Sequence, residues 1–220
     1  MIVLPILAIL FAGLESYALW SGKRQLEFIA KPTVMICLSL WLYLTTGWQG
    51  AALWFGLGAV LSLAGDVFLL WLDRFFVFGL AAFLLAHIAY LIGFNVPPPP
   101  VTMWSLLLAV IIGLSGMRVM RRLLMGVHAS GQSRLAIPVA LYGAVITLML
   151  LSALLTLSNT QWSALASASV ALGALFFYAS DIVLAWNKFI QSMPHGRMLN
   201  IGLYHIGQIL LITGVVLQFS

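Results

Sequence analysis

Asp66 and Asp181 each stand inside a long apolar run, in the segments Asp66-Val67-Phe68-Leu69-Leu70-Trp71 and Asp181-Ile182-Val183-Leu184-Ala185-Trp186. Both segments read D-[VI]-x-L-x-W and lie 115 residues apart, and the apolar run after each carries a histidine, His87 or His205. An ionisable side chain within a bilayer costs roughly 2.5–3.5 kcal/mol on insertion scales, so it marks a functional site by default. Two carboxyl groups can divide acid–base work, one neutral and donating a proton while the other stays ionised beside a developing cation. Intramembrane acids also serve substrate and ion pathways in transporters. Further candidates are Glu15, Lys31, His87, Tyr90, Tyr204 and Gln208. Tyr90 follows His87 by three positions and Gln208 follows Tyr204 by four, so each pair shares a helix face.

The elements that must carry these residues follow from composition. The 220 residues are 63% hydrophobic and 7% charged, whereas a soluble domain carries about 25% charged residues. Several apolar windows reach the roughly 20 residues that span hydrocarbon. Eight spans are predicted, over residues 2–20, 30–46, 50–71, 75–94, 102–117, 135–157, 161–186 and 199–218. Gly47 to Gly50 reads as a turn, Leu72-Asp73-Arg74 as a tight hairpin, and Pro97 to Pro100 as an extended tetraproline that cannot continue a helix. Arg118 to Arg134 reads as the longest polar loop and Asn187 to Met198 as the last. The expected fold is therefore an all-α polytopic membrane protein, one transmembrane domain over residues 1–220 with no separate soluble part. The echo between the two aspartate segments points to two parallel four-helix repeats, 1–100 and 101–220. The lone cysteine, Cys37, forms no internal disulfide, and no residues have zinc-cluster spacing. The first apolar run has no basic segment before it and does not read as a signal peptide.

The net charge of +5 is a topology signal rather than a nucleic-acid face, because the basic residues fall between apolar runs. The first connection holds Lys23, Arg24 and Lys31, the third Arg74, the fifth Arg118, Arg121, Arg122 and Arg134, and the seventh Lys188 and Arg197. The second, fourth and sixth hold none. Basic connections lie in the cytoplasm, so both termini are expected outside, and the compact loops fit a bacterial plasma membrane. On this topology Asp66, Asp181 and Glu15 lie ~8 Å inside the cytoplasmic ends of their spans, Tyr204 and Gln208 ~8–14 Å, and His87 ~18 Å. Lys31 opens the second span on the same side. The candidate site is thus expected in the cytoplasmic half of the bilayer. Plainer roles are an interfacial Glu15 or a Glu15–Lys31 pair, a helix-packing His87, and ion pairing of the aspartates with Lys31 or Lys188.

Ala30-Lys31-Pro32-Thr33 opens a span, and Gly65-Asp66-Val67 is followed by Phe78-Gly79-Leu80 and by FLLAHIAY over Phe83 to Tyr90. GALFFYASDIVL, from Gly173 to Leu184, precedes Tyr204 and Gln208. Together these motifs resemble the YhhN family of membrane proteins, which includes the lysoplasmalogenases, and the resemblance covers nearly the whole chain. It departs at His205, where an aromatic such as tyrosine is expected.

The resemblance implies eight spans and hydrolysis of the vinyl ether bond of lysoplasmalogen to a fatty aldehyde and glycerophosphoethanolamine or glycerophosphocholine. A vinyl ether is stable to base and labile to acid. The enzyme needs a proton donor, stabilisation of an oxocarbenium ion and a positioned water, which two carboxyl groups supply in glycosidases. Asp66 and Asp181 are the expected catalytic pair, with no metal or cofactor. Lys31 is the expected phosphate partner, aided by Arg134 or Arg197. His87, Tyr90, Tyr204, Gln208 and Glu15 would orient the lysophospholipid, the water or the carboxylates among membrane lipids. A lipid or small-molecule transporter or flippase is the alternative, and a binding or assembly protein a third. The polar residues gather toward one face with no matching set on the other, which favours the enzyme, since alternating access needs a path to both sides.

Overall fold

The computed structural model describes residues 2–220, apart from the side chains of Leu72 and Asp73. Its helices are α1 (Val3–Ser21), α2 (Arg24–Thr46), α3 (Ala52–Leu69), α4 (Leu72–Phe94), α5 (Met103–Ala129), α6 (Ala136–Leu155), α7 (Ala164–Phe189) and α8 (Gly196–Phe219). Eight of the described segments are long and apolar enough to cross a membrane. The chain is a multi-pass, all-α membrane protein.

Local chemistry sets the helix ends. Gly22 and Gly47 take the left-handed conformation that closes α1 and α2, at φ 69° and 61°, which costs glycine little. Past the tetraproline, Thr102 and Ser105 form a capping box that starts α5. The Ser163 side chain accepts from the Ala166 N–H at the start of α7.

Three helix ends differ from the sequence expectation. The second helix starts at Arg24 rather than near residue 30, so Lys31 lies two turns inside it and does not open it. The fifth helix runs to Ala129, so Arg118, Arg121 and Arg122 stand on a helix and not in a loop. Arg, Leu and Met are good helix formers, and the interruption of the apolar run by arginines changes what the helix faces, not whether it forms. The seventh helix continues through Asn187 and Lys188 to Phe189. Asp66 is consequently three residues from the end of α3, but Asp181 is eight from the end of α7.

The closest pairs are α7 with α8, α3 with α4 and α1 with α2. Glycines allow that approach. A Cβ on Gly173 would lie 2.5 Å from the Leu211 nitrogen, and one on Gly207 would lie 2.8 Å from the Phe177 nitrogen. Backbone contact of this kind is how helices associate where lipid removes the hydrophobic drive. At one end of the bundle, Arg24 donates to the Leu70 carbonyl and Arg197 pairs with Glu27. Lys188 lies over the Phe76 ring and Arg122 over Trp186. The first two contacts tie α2, the end of α3 and α8 together, and the last two tie α4, α5 and α7.

Candidate active site

Two polar clusters are built inside this bundle. In the first, α4, α6 and α7 bring His87, Tyr142 and Asp181 together. The Tyr142 hydroxyl donates to Asp181 Oδ2 at 2.5 Å, and His87 Nε2 lies 3.2 Å from the same oxygen and 3.0 Å from the Tyr142 hydroxyl. The His87 ring is fixed from the side by Phe177, one turn before Asp181, at a centroid distance of 4.6 Å.

The second cluster joins α1, α2, α3, α4 and α8. Tyr204 donates to Asp66 Oδ2 at 2.7 Å, and Lys31 Nζ lies 3.7 Å from Asp66 Oδ1. His205 Nε2 is 2.5 Å from Glu15 Oε2. One turn further along α8, Gln208 accepts from the Tyr90 hydroxyl and donates to Ser62, both at 3.0 Å. Every one of these side chains is buried. Buried polar groups need partners, and charges need them most, so α8 carries its polar residues on the one face that meets the acids of α1 and α3.

Aromatic rings separate the clusters. Phe177 touches both His87 and, at 5.3 Å between centroids, Tyr204; Phe83 packs edge-on to Phe177 and Tyr204. The two aspartates share no hydrogen-bond partner among the described residues.

They also differ in access. Asp66 is 1% exposed, whereas the Asp181 side chain is 13% exposed. That exposure faces a crevice between α4, α5, α6 and α7 with about 60 Å³ of free space. Its walls are apolar, formed by residues such as Leu80, Met120, Ile146 and Ile182, and its polar atoms come from Tyr142, Tyr178 and Asp181. Gly143 makes part of this shape, since a Cβ there would fall 1.8 Å from Met120 Cε. The crevice runs past Asp181 along α7, from Tyr178 to Phe189, so an apolar group lying in it meets one carboxyl group along its wall.

The eight catalytic and binding residues expected from sequence are inside these clusters, whereas Arg134 and Arg197, expected to aid Lys31, are not. Lys31, Asp66, Glu15, Tyr90, Tyr204 and Gln208 fall in one and His87 and Asp181 in the other. Lys31 faces Asp66, and Glu15 pairs with His205 instead of Lys31. Tyr142 and Ser62 join them without being among the residues expected from sequence. Tyr142 had one signal, as a lone tyrosine in the apolar run 135–157 whose hydroxyl needs a buried partner. Ser62 had none.

A family model described as the YhhN family matches residues 26–215. The chain belongs to the YhhN family. It is 30% identical over 204 residues to lysoplasmalogenase TMEM86B of Mus musculus, covering 91% of this chain and 81% of that protein. It is 31% identical over 200 residues to lysoplasmalogenase TMEM86B of Homo sapiens, covering 89% and 79%. A lysoplasmalogenase of Mycobacterium bovis is 33% identical over 144 residues, covering 62% of this chain and 50% of that protein. No solved structure matches the chain significantly. The match to the YhhN family takes in both polar clusters except Glu15, which precedes it.

Proposed function

We propose that this YhhN-family protein is a lysoplasmalogen hydrolase, cleaving the vinyl ether bond to release a fatty aldehyde and glycerophosphoethanolamine or glycerophosphocholine. The names of its relatives support the reaction. The observation that carries the chemistry is Asp181, a carboxyl group fixed on one oxygen by Tyr142 and His87 and open to an apolar crevice.

The vinyl ether lies in the crevice beside Asp181. Oδ2 is held by Tyr142 and His87, while Oδ1 has only Ser180 Oγ at 3.5 Å. Oδ1 therefore carries the proton that passes to the β carbon. The resulting carboxylate stands next to the oxocarbenium ion and stabilises it. Water adds to the cation and returns a proton to Asp181, the switch from acid to base seen in glycosidases. The hemiacetal then collapses to aldehyde and alcohol.

Asp66 serves the same reaction from behind the Phe83–Phe177 rings. Lys31 balances its charge, and Tyr204 ties it to α8. Tyr204, Gln208, Tyr90 and Glu15 position this second carboxylate and α8. The basic end of the bundle faces the cytoplasm, because positive connections stay inside. Both termini are then outside and the crevice opens to the inner leaflet of the plasma membrane. Residues 1–100 and 101–220 form two parallel repeats, each of whose aspartates takes one of its partners from the other half: His87 with Asp181, and Tyr204 with Asp66.

The test is aldehyde release from lysoplasmalogen by purified protein. Activity in the wild type and its loss in Asp181→Asn support the reading; full activity in Asp181→Asn removes it.

A further inference from the structure

Past Asp181 the face of α7 continues to Leu184 and Lys188, at spacings of three and seven residues that keep all three on one side. Leu184 lines the crevice and also a second recess of about 370 Å³, framed by Asn187, Lys188, Arg197 and Asn200. We infer that this recess binds the phosphate of the substrate headgroup, with Lys188 as its principal contact. The inference rests on the proposed lysoplasmalogen reading.

Lys188 is suited to that role by what it lacks. Lys31 is buried against Asp66 and Arg197 pairs with Glu27, but Lys188 has no carboxylate within ion-pair distance among the described residues. Its ammonium instead lies 5.1 Å from the centroid of Phe76, a ring that also lines the crevice. A cation held over an aromatic face keeps its charge available. Neighbouring groups hold the recess open. Asn187 accepts from the Met193 N–H, and Asn200 donates to the Ser180 carbonyl, the residue next to Asp181. The N-terminus of α8 begins here at Gly196, and its dipole favours an anion.

Distance agrees with the chemistry. Asp181 and Lys188 are seven residues apart on α7, ~10 Å of helix rise. In a lysoplasmalogen about seven bonds separate the β carbon from phosphorus, an extended reach on the order of 9 Å. A substrate with its β carbon at Asp181 therefore places its phosphate at Lys188, further along the same helix toward the basic end.

The experiment measures binding apart from turnover. The probe is a saturated 1-alkyl lysophosphatidylethanolamine, which has no vinyl ether to cleave. The comparison ligand is 1-alkylglycerol, which has the same chain and no phosphate. Lys188→Gln is expected to weaken binding of the phosphate-bearing probe about ten-fold or more and leave 1-alkylglycerol unchanged, and Lys188→Arg is expected to restore it. Diacyl phosphatidylethanolamine in excess is expected not to compete. Equal loss for both ligands, no loss for either, or displacement by the diacyl lipid overturns the proposal. If wild-type protein binds the probe with this Lys188 dependence but releases no aldehyde from lysoplasmalogen, the phosphate site stands and the reaction is wrong.

Discussion

His87 Nε2 lies 3.2 Å from Asp181 Oδ2, joining the fourth helix to the seventh across 94 positions of sequence. Tyr204 makes the corresponding contact in the other direction, from the eighth helix to Asp66 on the third. Neither aspartate is held by the helix that follows it in the chain. Each acid is held in part by a helix distant in sequence, so its full set of contacts forms only in the completed bundle.

Tyr142 is the closest support of Asp181. Tyr142→Phe keeps the ring and removes the donor, so kcat for aldehyde release should fall by about ten- to a hundred-fold, with KM little changed. His87→Gln should lower kcat in the same direction. Steady-state kinetics on the purified variants check both; a normal kcat in Tyr142→Phe would show that the hydroxyl has no part in the chemistry.

Asp66 and Lys31 face each other almost fully buried. Removing one partner leaves an uncompensated charge, at a cost of about 3–5 kcal/mol. Asp66→Ala should therefore lower the thermal midpoint in detergent strongly. The double variant Asp66→Asn, Lys31→Met should recover much of that stability while remaining inactive. Recovery of activity together with stability would confine Asp66 to a structural part.

Gly207 carries the packing of α8 on α7, where an added Cβ meets backbone and not a movable side chain. Gly207→Val should destabilise the protein by about 1–3 kcal/mol or more and disturb Asp181 and Tyr204 together. Gly13 has nothing within 4 Å of an added Cβ, so Gly13→Ala should be nearly neutral. Midpoints of thermal unfolding for the pair provide the comparison.

Much of this architecture was legible in the residues. Long apolar runs separated by prolines, glycines and basic clusters dictate the number of helices, because a continuous apolar run of about 20 residues satisfies its backbone in a bilayer as a helix. The helix ends were less legible: the arginines of α5 read as a loop, although Arg propagates a helix as readily as Leu. Intramembrane cost singled out Asp66, Asp181, His87, Lys31 and Glu15 one by one, but partner choice depends on helix rotation and crossing, which no local pattern carries. Glu15 therefore meets His205 and not Lys31, and Tyr142, a residue of ordinary type for a span, is the donor to Asp181.

Orientation has a direct reading. The one cysteine, Cys37, is buried, so a cysteine introduced at Ser220 or Gln132 reports alone. With both termini outside, Ser220→Cys should react with an impermeant maleimide in intact cells and Gln132→Cys only after lysis. The reverse pattern would place the crevice in the outer leaflet.

The central claim is that Asp181 protonates a vinyl ether lying in the crevice. Purified protein supplied with lysoplasmalogen in deuterated water should release a fatty aldehyde carrying one deuterium on the carbon next to the carbonyl, and Asp181→Asn, still folded, should release none. Absence of aldehyde from the wild type, or aldehyde formed at an undiminished rate by Asp181→Asn, would contradict it.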